Sequence, residues 1–259
     1  MKIVEVIPGL RTADTVTQRV DALGTAMGHF TAQATDTPGF LVNHAGRAFG
    51  TEALRVLSES VTDPATIDRI MVDQGGFRMG PFTLLDLTGL DVSHAVMESV
   101  YHQYYEEPRF RPSPLTRQRL SAGLLGRKTG EGFYRYVDGQ QQMPEEPAIA
   151  TVSPCPVWIS QDDPGSAAQL AELVATAGWP LESADQPSSE ALCLLTPLGE
   201  DTTQCALRQG LNAEQCVAVD MLAGLDKRRS LMASPITRPE LVNAAASLLN
   251  ADGTPVSTL

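Results

Sequence analysis

The spacing of hydrophobic positions changes once along the chain. From Met1 to Val137 apolar residues recur mostly at helical intervals, whereas from Cys155 to Leu259 short apolar runs alternate with helical stretches. The first segment opens with an apolar strand, Met1 to Ile7, ended by Pro8 and Gly9. Thr12 or Asp14 is placed to cap a helix reaching about Met27, with Val16, Val20 and Leu23 on one face and Gly28 as terminator. A short extended piece leads through Asp36-Thr37-Pro38-Gly39-Phe40 into a long helix expected from about Phe40 to Ser58. Asp63 before Pro64 predicts a helix start, and Gly75-Gly76 its end. Pro81 opens a helix ending near Gly89, Asp91 caps another reaching Tyr105, and Pro112 and Pro114 precede a short one that stops at Gly123. Helices joined by short connections predict a bundle.

Residues 138–154 are polar and rich in proline and read as a linker, which gives domains over 1–137 and 155–259. In the second segment Pro156–Ser160, Ala191–Pro197, Cys216–Met221 and Ser230–Ser234 read as strands, with helices near 166–177, 200–209 and 239–250. Strands alternating with helices predict a parallel α/β layer. The fold class is therefore a mainly α-helical bundle followed by a smaller α/β segment. There is also an internal echo. Residues 1–34 overlay residues 226–259 without gaps, so that Thr12 falls on Thr237, Val16 on Leu241, Leu23 on Leu248, Gly28 on Gly253 and Glu5 on Ser230. The overlay is weak in identity, so it is either chance or one strand–helix unit used twice.

Composition narrows the function classes. With 42% hydrophobic residues the chain has enough apolar surface for a packed core. A formal net charge of -12 sets it against nucleic acid, leaving a phosphate-bearing small molecule only where basic residues gather locally. Cys155, Cys193, Cys205 and Cys216 show no C-x-x-C spacing and read as free thiols of a reducing, cytoplasmic compartment rather than a metal or disulfide framework. The N-terminus does not read as a signal peptide, and no apolar run approaches the roughly 18 residues of a membrane span.

Few residues carry chemistry. Glu5 shares a strand face with Ile3 and Ile7, so its carboxylate is either at an exposed edge or paired. Asn43 begins a helical stripe that continues through Arg47, Gly50, Leu54 and Leu57, polar at its start and apolar beyond; an amide there suits a substrate carbonyl or hydroxyl, or is a plain helix-entry residue. His29, His44, His94 and His102 have no partners at metal-ligand spacing. Arg109, Arg111, Arg117, Arg119, Arg127 and Lys128 form either a phosphate-binding patch or a solvated face balanced by Glu106 and Glu107. There is no G-x-G-x-x-G, so no dinucleotide-binding turn is expected in this chain.

Taken together, five stretches in order resemble the 3-hydroxyacyl-CoA dehydrogenases: Met1–Val6, Asp36–Asn43, Met79–Asp86, Gly89–Asp91 and Lys128–Tyr134. The resemblance implies a helical substrate and dimerisation domain over residues 1–137, of the 6-phosphogluconate dehydrogenase C-terminal-like kind. It implies a degenerate Rossmann-like segment over 155–259 and a homodimer acting on acyl-CoA. In that family a preceding Rossmann domain binds NAD, and a histidine oriented by a glutamate takes the proton from the 3-hydroxyl. The glutamate matches Glu5, and a substrate-holding asparagine matches Asn43; the NAD domain and the histidine have no counterpart in this chain. His44 departs from the arginine usual after the asparagine. The run Asn43 to Arg55 resembles a longer, two-module subgroup that includes the 3-hydroxyadipyl-CoA and 3-hydroxybutyryl-CoA dehydrogenases of phenylacetate breakdown. The resemblance implies a piece of such an enzyme, cut at both ends and inactive alone. The alternative is a stand-alone acyl-CoA-binding and dimerisation module without redox activity.

Overall fold

The computed structural model describes residues 2–259, so the part of the expected first strand at Met1 lies outside the described residues. The chain packs as two units, one formed by residues up to Pro64 together with 81–143, the other by 65–80 together with 144–259.

The first unit begins with β1 (Ile3–Val6), α1 (Asp14–Ala26) and β2 (Phe30–Gln33), a βαβ crossover whose strands pair in parallel with Val4 opposite Thr31 and Glu5 opposite Ala32. Neither Thr12 nor Asp14 caps α1; Ala13 stands at the N-cap, and the Thr12 hydroxyl instead accepts from the Gly9 N–H. A Cβ on Gly24 would lie 2.6 Å from Thr31 Cγ2, so the helix reaches β2 only because that position is bare. The apolar stripe Val16, Val20 and Leu23 is not the buried face: all three are exposed, and Thr17 and Gly24 are buried instead. Two strands are too narrow to cover a full helix face.

The expected long helix is broken into α2 (Val42–Ala45) and α3 (Arg47–Ser58) at Gly46. Next come α4 (Pro64–Arg69), which opens after Asp63 as expected, and a π-helical turn, Ile70–Gln74, ending at Gly75. The first unit resumes with α5 (Pro81–Thr88), α6 (Leu90–Gln103) and α7 (Pro114–Ser121). Gly89, not Asp91, is the N-cap of α6. Leu54, Phe82, Leu90 and Met97 are fully buried at the centre. Asp138 and Gly139, expected in the linker, form the turn of a hairpin between β3 (Arg135–Val137) and β4 (Gln140–Gln142), both residues having positive φ as a tight hairpin turn requires.

One carboxylate fastens this unit. Asp86, fully buried on α5, accepts from the Phe133 and Tyr134 N–H groups at 2.9 Å each and from the Tyr136 hydroxyl at 3.2 Å. Burial pushes its pKa up, and these three hydrogen bonds oppose the rise. Gly126 and Gly132 are required beside it, since a Cβ on either would lie within 2.4 Å of Asp86 atoms. Lys128 meets Asp91 at 2.7 Å. The stretches around Asp86, Gly89–Asp91 and Lys128–Tyr134 are thus held to one another.

The second unit is a five-stranded sheet in the order β5 (Val157–Ile159), β6 (Leu192–Leu195), β7 (Cys216–Val219), β8 (Arg229–Ala233), β9 (Val256–Thr258). Helices α8 (Pro164–Thr176) and α10 (Pro239–Leu249) pack on one face and α9 (Thr202–Arg208) on the other, so Leu192 and Leu194 enter one core while Cys193 and Leu195 enter the second. The sheet is not all parallel: β8 runs antiparallel to β7. No helix intervenes between them, and an antiparallel return needs none.

The internal echo is a structural repeat. β8–α10–β9 pairs with Arg229 opposite Val256 and Ser230 opposite Ser257, the register of β1–α1–β2 displaced by 225 residues (229 minus 4, 256 minus 31). Gly28 and Gly253, in the turns that lead into β2 and β9, have φ of 82° and 83°.

Two adjacent arginines, Arg228 just before β8 and Arg229 at its start, 2% and 4% exposed, secure the second unit. Arg228 meets Glu146 at 2.6 Å and Asp73 at 2.9 Å, which ties the segment after α4 to the sheet; Gln74 adds a hydrogen bond from Ser230 Oγ at 2.7 Å. Arg229 meets Asp252 at 2.7 Å and donates to the Leu225 carbonyl at 3.0 Å. Hydrogen bonding from Arg229 holds the Asp252 carboxyl well below the usual carboxylate range. A depressed pKa in the folded state contributes stability above about pH 4, lost as pH falls through the folded value. Asp252→Asn should therefore lower stability at pH 7 by about 1–2 kcal/mol, less than for a wholly buried pair because Asp252 is partly in water. It should also flatten the loss of stability below pH ~4. Urea unfolding at pH 7 and pH 3 measures both; identical curves for the two proteins would show that the pair contributes nothing.

Candidate functional site

Glu5 and Asn43, far apart in sequence, are brought together. Glu5 Oε1 accepts from the Leu41 N–H at 2.7 Å and from the Val42 N–H at 2.9 Å, so β1 reaches across and holds the start of α2, the turn that carries Asn43. Glu5 Oε2 makes no hydrogen bond among the described residues. Of the two readings open in the sequence, the paired one holds, and the partner is backbone.

The approach to α2 is tightly specified. Gly39 (φ 83°) and Phe40 (φ 49°) are both left-handed, and a Cβ on Gly39 would stand 3.0 Å from the His44 nitrogen. For Phe40 this is a costly backbone state, held by the Phe40 N–H to Thr37 carbonyl bond and by the anchored Leu41 that follows. Asn43 is exposed and lines a groove of about 330 Å³ between the Asp36–Phe40 turn and Val96, Ser99, Val100 and Gln103 of α6. His44, where the resembling family usually has arginine, has its Nδ1 3.1 Å from the Tyr104 hydroxyl and rings of Tyr104 and Phe110 within 5.7 Å. It belongs to an aromatic cluster rather than to a metal site; among the described residues no group of three potential ligands is close enough to hold a metal.

Most of the basic residues are committed elsewhere. Arg109 pairs with Glu107, Arg117 lies 3.9 Å from Glu98, and Lys128 pairs with Asp91. Arg119 donates to the Gly132 carbonyl and lies over the Phe133 ring at 4.3 Å. His94 is buried between Thr116 and Glu98, and His102 pairs with Glu106.

Two of the strand-to-helix turns, after β1 and after β5, do not suit a dinucleotide. In the turn after β1 the Gly9 N–H is taken by Thr12. In the turn after β5 the first amides of α8 are capped by the Asp163 carboxylate, which accepts from Gly165 at 3.2 Å and Ser166 at 3.3 Å, and Asp162 stands beside it. A carboxylate where a pyrophosphate would sit repels it. These two turns do not fit the pyrophosphate of NAD.

Residues 39–136 match the family model of the 3-hydroxyacyl-CoA dehydrogenase C-terminal domain. This stretch carries that domain. The chain is 43% identical over 136 residues to a probable 3-hydroxybutyryl-CoA dehydrogenase of Deinococcus radiodurans, covering 52% of this chain and 49% of the relative. It is 42% identical over 134 residues to the 3-hydroxyadipyl-CoA dehydrogenase of Escherichia coli, covering 52% of this chain and 28% of that one. The crystal structure of 3-hydroxybutyryl-CoA dehydrogenase from Escherichia coli K12 superposes with a TM-score of 0.72 at 28% identity, covering 100% of this chain and 49% of that one. The α/β unit therefore also has a counterpart there. The chain spans about half the length of the first relative and of the superposed structure. No helix among the described residues is long and apolar enough to cross a membrane.

The sequence did not disclose the Glu5 contact with α2, because a strand carboxylate gives no sign of which distant amides it will meet. The positive φ implied by Gly39 was the one local clue that the chain turns sharply just there. If Glu5 holds the dehydrogenase-type turn, Glu5→Ala should expose the Leu41 and Val42 amides to exchange and cost about 1–2 kcal/mol. Glu5→Gln, which keeps an acceptor oxygen, should cost less. Amide exchange followed by mass spectrometry reads this directly, and unchanged protection of residues 41 and 42 in the alanine variant would refute it.

Proposed function

We propose that the chain is the acyl-CoA-holding part of an NAD-dependent enzyme that oxidises (3S)-3-hydroxyacyl-CoA to 3-oxoacyl-CoA in fatty acid or phenylacetate degradation, and that it is inactive by itself. The observation that carries this is the anchoring of the Asn43 turn by Glu5 beside an open groove, inside a segment matching the dehydrogenase domain. In this reading Asn43 is the substrate-binding residue: its amide donates to the oxygen on the substrate's third carbon, which gains negative charge as the proton leaves. Glu5 is a positioning residue. One oxygen fixes the Asn43 turn, and the other is left to accept from a general-base imidazole and stabilise it once protonated. That imidazole and the NAD lie outside the described residues, so no hydride step is assigned to this chain. A redox-free acyl-CoA-binding module is the second reading, supported by the same groove and by the misfit of the turns after β1 and β5 to the pyrophosphate of NAD.

Titration of the purified chain with acetoacetyl-CoA should give saturable binding, weakened about tenfold by Asn43→Ala, the loss of one hydrogen bond to a charged or polarised oxygen. NADH fluorescence should show no saturable binding. A chain that binds NADH, or one that ignores acetoacetyl-CoA, would sink the proposal.

We further place a homodimer contact in the helical unit. Leu84 and Leu87 of α5 and Val92 of α6 are 40%, 48% and 51% exposed, an apolar set on neighbouring helices. Sedimentation velocity should show a dimer that Leu87→Glu shifts towards monomer; a monomer at every concentration before mutation would count against it.

A further inference from the structure

The turn of helix that carries Asn43 has no core of its own. None of the four residues of α2 is buried, and Leu41 before it and Gly46 after it are exposed as well. A helix this short is not stable on its own in water, and here no buried side chain packs it down. Nor does α3 carry it rigidly, because the chain breaks at Gly46 between the two helices. The orientation of Asn43 therefore depends on what tethers this turn.

Side chains tether it on either side of Asn43. Before it, Glu5 accepts from the Leu41 and Val42 amides. After it stands His44, whose Nδ1 lies 3.1 Å from the Tyr104 hydroxyl and whose ring centre is 5.7 Å from that of Tyr104 and 5.6 Å from that of Phe110. Tyr104 itself stacks on Phe110 at 4.7 Å, which limits where its hydroxyl can go. Tyr104 is also the C-cap of α6, next to Gln103, and Gln103 faces the groove together with Val96, Ser99 and Val100. The contact between Tyr104 and His44 thus joins the α6 wall of the groove to the turn that presents Asn43.

We infer that Tyr104 is a positioning residue: through His44 it fixes the α2 turn against α6 and so aims the Asn43 amide at the substrate oxygen, without touching the ligand itself. This rests on the reading of the groove as an acyl-CoA site. Histidine suits the role, because one flat ring both packs against the aromatic pair and offers a nitrogen to the hydroxyl. Without that hydroxyl the turn is free to rotate about Gly46, and Asn43 spreads over orientations of which few face the ligand. The loss then appears as weaker binding, because the amide must be ordered when the ligand arrives.

The test is a double-mutant cycle read by calorimetric titration of the full chain with acetoacetyl-CoA. Tyr104→Phe, which keeps the ring and its stacking, should weaken binding about threefold, the scale of one exposed hydrogen bond between neutral groups. In the Asn43→Ala background the same change should have no further effect, because no amide is left to aim. In the free chain, Tyr104→Phe should speed hydrogen exchange, followed by NMR, at the His44, Ala45 and Gly46 N–H groups, which donate to the Gly39, Leu41 and Val42 carbonyls, and leave α3 and α6 unchanged. Undiminished affinity of Tyr104→Phe overturns the inference, as does unchanged exchange in α2. An equal loss in both backgrounds also overturns it, since Tyr104 would then act on the ligand or the fold and not through Asn43. If the unmodified chain does not bind acetoacetyl-CoA, the acyl-CoA reading falls and the role of Tyr104 falls with it, an outcome distinct from binding that ignores the substitution.

Discussion

A charge taken out of water must be met by another charge or by hydrogen bonds, and that constraint organises both units of this protein. In the helical unit Asp86 draws the chain around Phe133 and Tyr134 back onto α5, and two glycines exist to let the backbone come that close. In the α/β unit the neighbours Arg228 and Arg229 find different carboxylates, Asp73 and Glu146 for the first and Asp252 for the second. Arg228 also explains why residues 65–80, which sit in sequence between helices of the first unit, pack with the second: Asp73 and Gln74 are called for by the sheet. Glu5 obeys the same rule on a smaller scale, with two backbone amides as its partners.

What the sequence discloses follows the range of each interaction. Helix ends are local events, so Pro64, Gly76, Pro81 and Gly123 mark boundaries that the structure keeps. Strands buried on both faces are continuous apolar runs, so β5 to β8 are legible at once. Partners across long separations are not local, and Asp86 with Tyr134 or Arg228 with Glu146 leave no trace in periodicity. The Asp138-Gly139 turn was hidden by its polar surroundings, although the dipeptide is a strong hairpin signal. The apolar stripe of α1 shows the reverse failure: periodicity correctly marks a helix, but not what covers it, and here Val16, Val20 and Leu23 are exposed.

The site was legible in part for the same reason. Composition and spacing single out Glu5 as an acid among isoleucines and Asn43 as a polar residue heading an apolar stripe, but leave each with a plain structural alternative. Five motifs in order supply the family. Geometry then sorts those motifs by task. Three of them, around Asp86, Asp91 and Lys128–Tyr134, are fastened to one another and keep the bundle closed. The other two, β1 and the Asp36–Asn43 turn, are joined by the Glu5 carboxylate and border the groove. Motifs of similar strength in sequence thus serve stability in one case and the candidate site in the other.

The repeated βαβ unit shows how narrow that difference is. Both copies have the same strand register, the same crossover length and a left-handed glycine at the same place before the second strand. The backbone is specified by demands common to both: a parallel pair needs a crossover helix, and a left-handed residue in the turn before the second strand favours glycine. The copies differ at several positions of the first strand, and one of these bears on the site. In the first, Glu5 supplies a carboxylate that holds the next turn and retains an oxygen free of any partner among the described residues. In the second, Ser230 is 2% exposed and its hydroxyl is used up on Gln74. A serine so placed has no charge to offer and no surface from which to offer it. The second copy therefore keeps the architecture of the first while its equivalent of Glu5 is spent on packing, which is what a degenerate unit means in physical terms.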